Sequence, residues 1–336
     1  MTPLLVAELS ANHGHSLDTA QKSLIVLKNM GVGAAKLQTY TPDCLTLPIN
    51  KPPFIIEGTL WDQQSLYALY QEAAMPLEWH KPLFELAKSL DLCLFSSVFS
   101  LKGLELLESL DCPLYKIASF EITDLELLRL VASTKKPLII STGIATHENI
   151  LDALEVCHKA DNTDITLLKC TSAYPAPLKD ANLLTMPKLK ELYHTPYGLS
   201  DHTLGNTSAI IATSLGASVI EKHFMLDKSL RTPDRAFSLD TKEFSALVQA
   251  VRETTEALGC ANPTTKEIKG AQFARSLFVI KSLKKGETLT KEHIKALRPN
   301  AGLAPKFLEQ ILGQKATRDL EVGHPLSWQD LLRPLG

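Results

Sequence analysis

Ser200 with His202, and Glu221 with His223, stand two residues apart near the ends of two short apolar runs. Side chains alternate across a strand, so each pair projects to one face, and neighbouring strands would set two imidazoles side by side. Neutral imidazole binds divalent metals, and two histidines leave positions open for water and substrate, as a catalytic site needs. A pair of hydrogen-bonded structural histidines is the other reading, and spacing alone does not separate the two. Lys36 and Lys116 stand at the ends of two further runs, with Ser97, Ser119, Ser141, Ser172 and Ser200 at or just past the ends of others. A ring of ammonium and hydroxyl donors would hold a phosphate or carboxylate, although serines in such places also cap the helices that follow. Glu8 and Glu121 can move protons or orient water if burial tunes them, or can pair with Lys36 or Lys116. No Walker loop and no GxGxxG follow the first run, which removes the usual support for a nucleotide or dinucleotide.

These residues need a scaffold that converges strand ends on one place. Apolar runs near 4–8, 34–38, 92–97, 114–119, 138–141, 165–170, 197–202 and 218–223 alternate with segments of helical period such as 17–30 and 149–160. Eight consecutive βα units predict an α/β fold, a closed (β/α)8 TIM barrel, whose strand ends gather on the face where barrel enzymes work. Almost every run turns polar at its end, as at Lys36 and Gln38, Ser96 and Ser97, Lys169 and Thr171, Ser200 and His202. The connection from 39 to 77 is long and carries Pro42, Pro48, Pro52 and Pro53, which marks it as a candidate cover over the substrate. After a last helix at 241–258, the polar stretch 259–269, broken by Pro263, reads as a linker. The expected division is a catalytic domain at 1–258, a linker at 259–272 and a small β-rich domain at 273–336, which gains stability by docking.

Bulk properties exclude several classes. Hydrophobic residues make up 45% and charged residues 21%, as in a globular protein with a sizeable core. With 35 basic against 37 acidic residues and no run of one sign, there is no footprint for nucleic acid or an anionic membrane surface. Cys44, Cys93, Cys112, Cys157, Cys170 and Cys260 form no CxxC pair, so a reduced, cytoplasmic protein is expected. The first residues lack a basic leader, and no apolar stretch reaches the length of a membrane span.

The strings AELSANH (7–13), KLQTYTPD (36–43), YKIASFEITD (115–124), STG (141–143), KCTSAYPAP (169–177), GLSDHTLG (198–205) and EKHF (221–224) closely resemble the sialic acid synthase family, and within it the pseudaminic branch. KALRP (295–299) resembles part of that family's antifreeze-like (SAF) domain. The resemblance implies a phosphoenolpyruvate-dependent synthase with Mn2+ or Mg2+, working as a domain-swapped homodimer. It makes His202 and His223 the metal ligands, and matches Lys36, Ser97, Lys116, Ser119, Ser141, Ser172 and Ser200 to positions that hold phosphoenolpyruvate, Lys116 with a catalytic part. Glu8, Gln38, Glu121, Tyr174 and Asp234 match positions near the acetamido sugar or the reacting carbon, with Glu8 and Glu121 the catalytic carboxyls. Arg298 matches an arginine that reaches into the partner's barrel. The implied acceptor is 2,4-diacetamido-2,4,6-trideoxy-β-L-altropyranose, with N-acetylmannosamine or the legionaminic precursor as alternatives. Val98 and the stretch RTPDRAFS (231–238) depart from the pattern, and Arg231 and Arg235 are expected to alter the sugar pocket. A metal-dependent hydrolase or aldolase would explain the histidines but not the lysines and serines. A non-catalytic sugar or ice binder is the reading from a different class.

Overall fold

A computed structural model of the chain describes residues 2–259 and 269–332, which fall into two compact units, Met1–Gly259 and Cys260–Gly336. In the first unit eight strands run in chain order: β1 Leu4–Glu8, β2 Ala34–Thr39, β3 Cys93–Val98, β4 Tyr115–Ile117, β5 Leu138–Ser141, β6 Ile165–Cys170, β7 Tyr197–Asp201 and β8 Val219–His223. All pair in parallel with their sequence neighbours, and β8 closes on β1 with Glu8 opposite His223, which completes the TIM barrel. Nearly continuous apolar runs form these strands because both faces are buried, one in the barrel and one under helices. Two of the strands end short of expectation. The fourth run leaves the sheet after Ile117 and turns through a short 3-10 segment at Ser119–Glu121, and His202 lies one residue beyond β7.

The helices start where side chains can satisfy free backbone N–H groups. Ser16 accepts from the Thr19 N–H to open the helix Leu17–Met30, which stops at Gly31 with φ 71°. Reciprocal capping by Thr146 and Asn149 opens His147–Lys159, two residues earlier than the apolar period indicates. Asp240 and Glu243 do the same for Thr241–Leu258. Leu24, Leu27, Leu247 and Val251 join one buried cluster, while Leu128, Val131, Ala153 and Leu154 join another. The connection after β2 is a structured loop with helices Pro42–Leu45 and Leu66–Ala73 and a bridge between Ile55 and Ser65.

In the second unit, β9 Ser276–Val279 pairs antiparallel with β10 Ile294–Leu297, and β11 Lys315–Ala316 with β12 Leu331–Leu332. Its core is Leu277, Val279, Leu283, Leu289, Ile294 and Leu326. Buried Asp330 accepts from Arg318 Nε at 2.9 Å and from the Ser327 N–H at 2.8 Å, tying the last strand to the preceding turn. Most of the expected linker, 260–268, lies outside the described residues, and Cys260 with it. Cys44, Cys93, Cys112, Cys157 and Cys170 are free thiols. No helix among the described residues is long and apolar enough to cross a membrane.

Gly198 lets β7 approach β8 closely: a Cβ there would lie 2.2 Å from the Val219 carbonyl oxygen and 2.7 Å from Leu168 Cδ2. Gly198→Ala is therefore expected to destabilise the barrel by about 1–3 kcal/mol and to displace the strand that carries Ser200. A urea denaturation midpoint equal to that of the unsubstituted chain would contradict this packing.

Candidate active site

Alternation along the strands selects which residues face the barrel mouth. Glu8 from β1, Lys36 and Gln38 from β2, and Ser97 from β3 line one cavity with Lys116 after them on β4. Ser119, Ser141 and Cys170 continue the wall, and Tyr174, Ser200, His202, Glu221 and His223 close it. Each strand contributes at its carboxyl end, the functional face of a TIM barrel.

The floor of this cavity is a buried charge cluster. Lys36 Nζ contacts Glu8 Oε2, donates to Ser97 Oγ at 2.9 Å, and lies 3.7 Å from Glu221 Oε1. The same Glu221 oxygen is 3.7 Å from Lys116 Nζ and accepts from Ser200 Oγ at 3.3 Å. Gln38 donates to the other oxygen of Glu8 at 3.0 Å. Burial raises the Glu8 carboxyl above the ordinary carboxylate range even though Lys36 opposes it. Burial pulls Glu221 the same way, but Lys116 and Lys36 together outweigh it and hold Glu221 below that range. Lys116 is shifted down by burial, which Glu221 only partly offsets. Glu221 Oε2 and Ser141 Oγ are buried without a hydrogen-bond partner among the described residues, so both await a ligand group or solvent.

Above the floor stand the two imidazoles, ring centroids 5.4 Å apart. His202 Nδ1 lies 3.0 Å from the Thr171 carbonyl, which can only accept, so Nδ1 carries the proton and Nε2 keeps its lone pair. His223 Nδ1 is 3.5 Å from Asp234 Oδ2 and has no hydrogen-bond partner among the described residues. Burial would raise Asp234, but His223 and the Ala11 N–H outweigh it, and the carboxyl sits below its ordinary value. Two rings at this separation can both reach one cation at about 2.1 Å from a nitrogen of each, so the residues present fit a divalent ion held by two imidazoles and completed by oxygen donors. No group of three or more His, Cys, Asp or Glu among the described residues supplies a fuller ligand set. An aromatic wall rises beside the rings. Tyr174 is 4.3 Å from His202, Phe237 is 4.9 Å from His223, and Trp61 of the long loop is 6.0 Å from Tyr174. Trp61 Nε1 donates to the Pro233 carbonyl at 3.2 Å, which ties that loop to the segment after β8.

Residues 24–263 match the NeuB family and residues 274–332 match the SAF domain. The chain belongs to the NeuB family. It is 57% identical over 337 residues to the pseudaminic acid synthase of Helicobacter pylori, with 99% of each chain covered. It is 35% identical over 322 residues to the N,N'-diacetyllegionaminic acid synthase of Campylobacter jejuni, covering 94% of this chain and 96% of that one. Among solved structures, the sialic acid synthetase of Leptospira borgpetersenii in complex with citrate superposes with a TM-score of 0.71 at 27% identity, covering 79% of this chain and 88% of that one.

Within this NeuB barrel several expected residues take supporting places. Ser172 lies behind the wall, its Oγ donating to Ser119 Oγ at 3.1 Å, while Ser119 Oγ accepts from the Ile144 N–H at 3.0 Å. Asp234 backs His223. Glu121 sits in the 3-10 segment after β4, outside the cavity lining, with one oxygen buried and unpartnered among the described residues and its carboxyl pushed up to about 7 by burial. Arg298 is exposed at the residue after β10, in the second unit. One polar strand end departs from expectation: β6 turns Cys170 into the cavity, while Lys169 bonds the Cys170 carbonyl at 2.7 Å and stays out of it. Arg231 and Arg235 are exposed and line a groove beside Trp61, not the reaction cavity. Glu221 is the functional group that residue types alone undervalue, although its place two residues before His223 puts it on the inward face.

Lys36 is the counter-ion for two buried carboxylates, and removing one partner of such a cluster leaves uncompensated charge. Lys36→Met is expected to cost about 3–5 kcal/mol of stability near neutral pH. The raised affinity of Glu8 for protons means the penalty shrinks as pH falls and Glu8 takes a proton. Urea denaturation at two pH values checks both the size and this sign, and a penalty that grows in acid would contradict the charge assignment.

Proposed function

We propose that this chain condenses phosphoenolpyruvate with 2,4-diacetamido-2,4,6-trideoxy-β-L-altropyranose to give pseudaminic acid and phosphate. The observation that carries the reaction type is one cavity that joins two buried lysines and a set of serines to a pair of imidazoles. The acceptor rests on the full-length similarity to a pseudaminic acid synthase, which exceeds that to a legionaminic enzyme.

In this reading Lys116 and Lys36, with Ser97, Ser119, Ser141 and Ser200, hold the phosphate and carboxylate of phosphoenolpyruvate. Lys116 is the lysine less committed to carboxylates, with Glu221 at 3.7 Å as its ion-pair partner among the described residues. Its ammonium is therefore available to an incoming anion. His202 and His223 hold Mn2+ or Mg2+, which when bound supplies a Lewis acid for the aldehyde of the open-chain sugar. Tyr174 and Gln38 place that aldehyde against carbon 3 of phosphoenolpyruvate, with Asp234 behind His223 and Ser172 steadying Ser119. A new carbon–carbon bond forms from the enol double bond as the aldehyde double bond opens, the aldehyde oxygen takes a proton from solvent, and positive character develops at carbon 2. Water adds there and hands its proton through a second water to Glu121, which stands outside the cavity lining, while Glu8 beside Lys36 holds the neighbouring oxygens in place. The tetrahedral intermediate then expels phosphate by C–O cleavage, the carbon 2 hydroxyl passing its proton to the departing phosphate, and leaves the ketone.

Family resemblance also supports a cytoplasmic, domain-swapped homodimer in which Arg298 contacts the partner subunit's sugar. A planar guanidinium suits oxygen-rich ligands. A non-catalytic binder does not account for the paired lysines.

Two outcomes are expected. Phosphate release requires both substrates together, and mass spectrometry over a panel of acetamido sugars finds the nonulosonic acid from the altropyranose in greatest yield. With 18O in the enol oxygen of phosphoenolpyruvate, the label leaves in phosphate; its retention in the sugar acid would overturn C–O cleavage. The second follows from Glu121, whose carboxyl is pushed up to about 7 and is thus a base only above that value. The turnover number should rise as pH increases from about 6 to about 8, and Glu121→Gln should remove most activity together with that limb. A flat profile, or a limb that survives in the variant, assigns the proton to another group.

A further inference from the structure

Strand alternation sends Ser200 and His202 into the cavity and leaves Asp201 between them on the opposite face of the sheet. On β8 it leaves Lys222 outward between Glu221 and His223, and the ladder sets Asp201 opposite Lys222. Lys222 is 0% exposed and Asp201 2%, with Lys222 Nζ 2.6 Å from Asp201 Oδ2. Among the described residues, the pair's remaining side-chain hydrogen bonds all go to Thr203. Asp201 Oδ1 accepts from the Thr203 N–H at 2.9 Å and from its hydroxyl at 2.7 Å, and Lys222 donates to the Thr203 carbonyl. Thr203 Oγ1 is in turn 3.0 Å from Ser208 Oγ, at the start of the next helix.

An aspartate that bonds the N–H two residues on makes an Asx turn, and the residue inside this turn is His202. The pair therefore clamps the backbone on the far side of the residue whose ring faces the cavity. From the near side, His202 Nδ1 lies 3.0 Å from the Thr171 carbonyl and the His202 carbonyl accepts from the Ala176 N–H at 2.9 Å. A buried ion pair is a poor source of stability, since an apolar pair of similar volume is often as stable or more so. What an apolar pair cannot do is bond both sides of Thr203. We infer that Asp201 and Lys222 are positioning residues that hold His202, and through the shared ladder His223, at the spacing one divalent cation requires. This rests on the reading of the two histidines as metal ligands.

The test uses the full chain, stripped of metal, with Mn2+ binding measured by titration calorimetry and the melting temperature recorded beside it. Loss of Mn2+ binding in His202→Ala establishes the ligand reading, and undiminished binding there overturns that reading on its own. With binding established, the double variant Asp201→Leu/Lys222→Met is expected to melt within a few degrees of the unsubstituted chain and to bind Mn2+ about ten- to a hundredfold more weakly, the range for groups that orient a metal's ligands. Asp201→Asn/Lys222→Met keeps an acceptor for the Thr203 N–H and is expected to recover most of that loss. Unchanged Kd in the folded apolar pair, or equal loss in both double variants, overturns the inference. Should the apolar pair fail to fold, Thr203→Val decides: it leaves the ion pair in place and removes the hydroxyl's contacts with Asp201 and Ser208, so the chain stays folded with a melting temperature lowered by a few degrees while Mn2+ binding weakens severalfold, and an unchanged Kd overturns the inference.

Discussion

The Lys36 ammonium is shared between Glu8 and Glu221 in the buried mouth of the barrel, and the site is arranged around that charge. Glu8 comes from β1, Lys36 from β2 and Glu221 from β8, so the contact exists only once the last strand has closed on the first. Closing the barrel and assembling the anion floor are in this sense one event. The arrangement also makes the two lysines unlike each other. Burial lowers Lys36, but Glu221 and Glu8 outweigh it and its proton is held more tightly than usual. Lys116 has lost solvation without equal compensation and is shifted the other way. A group in that condition gains most from an arriving anion, because the ligand supplies the counter-charge that the fold withholds.

The same floor explains why so much of the site is legible in the amino-acid sequence. Parallel strands of a closed barrel are buried on both faces, so their runs stand out as apolar segments, and polar residues at their ends have few reasons to be there other than chemistry. Alternation then puts Lys36 with Gln38, and Ser200 with His202, on one face. Reading polarity alone fails at β6: in KCTS the charged residue attracts notice, yet alternation makes Cys170 the inward position, and Lys169 turns away to bond the backbone and Thr171. Chain order likewise gives no sign that Ser172 supports Ser119 across two loops, since that contact depends on how loops fold over the sheet. Arg231 and Arg235 show the converse. Their charge suggests a pocket role, but the turn at 233–237 buries Asp234 and leaves both arginines at the surface.

The clamp behind His202 belongs to the same class of features. Asp201 and Lys222 each adjoin a histidine, so chain proximity alone would count them as part of one polar motif. Their side chains lie on the other side of the sheet, and what links them to chemistry is the hydrogen bonding of Thr203, which only register makes visible.

Strands and loops thus carry different parts of the task. The charged floor and the imidazoles are fixed by ladder register, and any shift of one residue would send every one of these groups to the outer face. The aromatic wall comes instead from loop residues: Trp61 from the long connection after β2, Tyr174 after β6 and Phe237 after β8. Burial raises the Tyr174 phenol, so it stays a neutral hydrogen-bonding group beside the rings. A loop can exchange side chains or change length without disturbing the barrel's register. The Trp61, Tyr174 and Phe237 layer can therefore change without breaking the sheet, while the floor, whose charges must balance in a medium of low dielectric, tolerates little change.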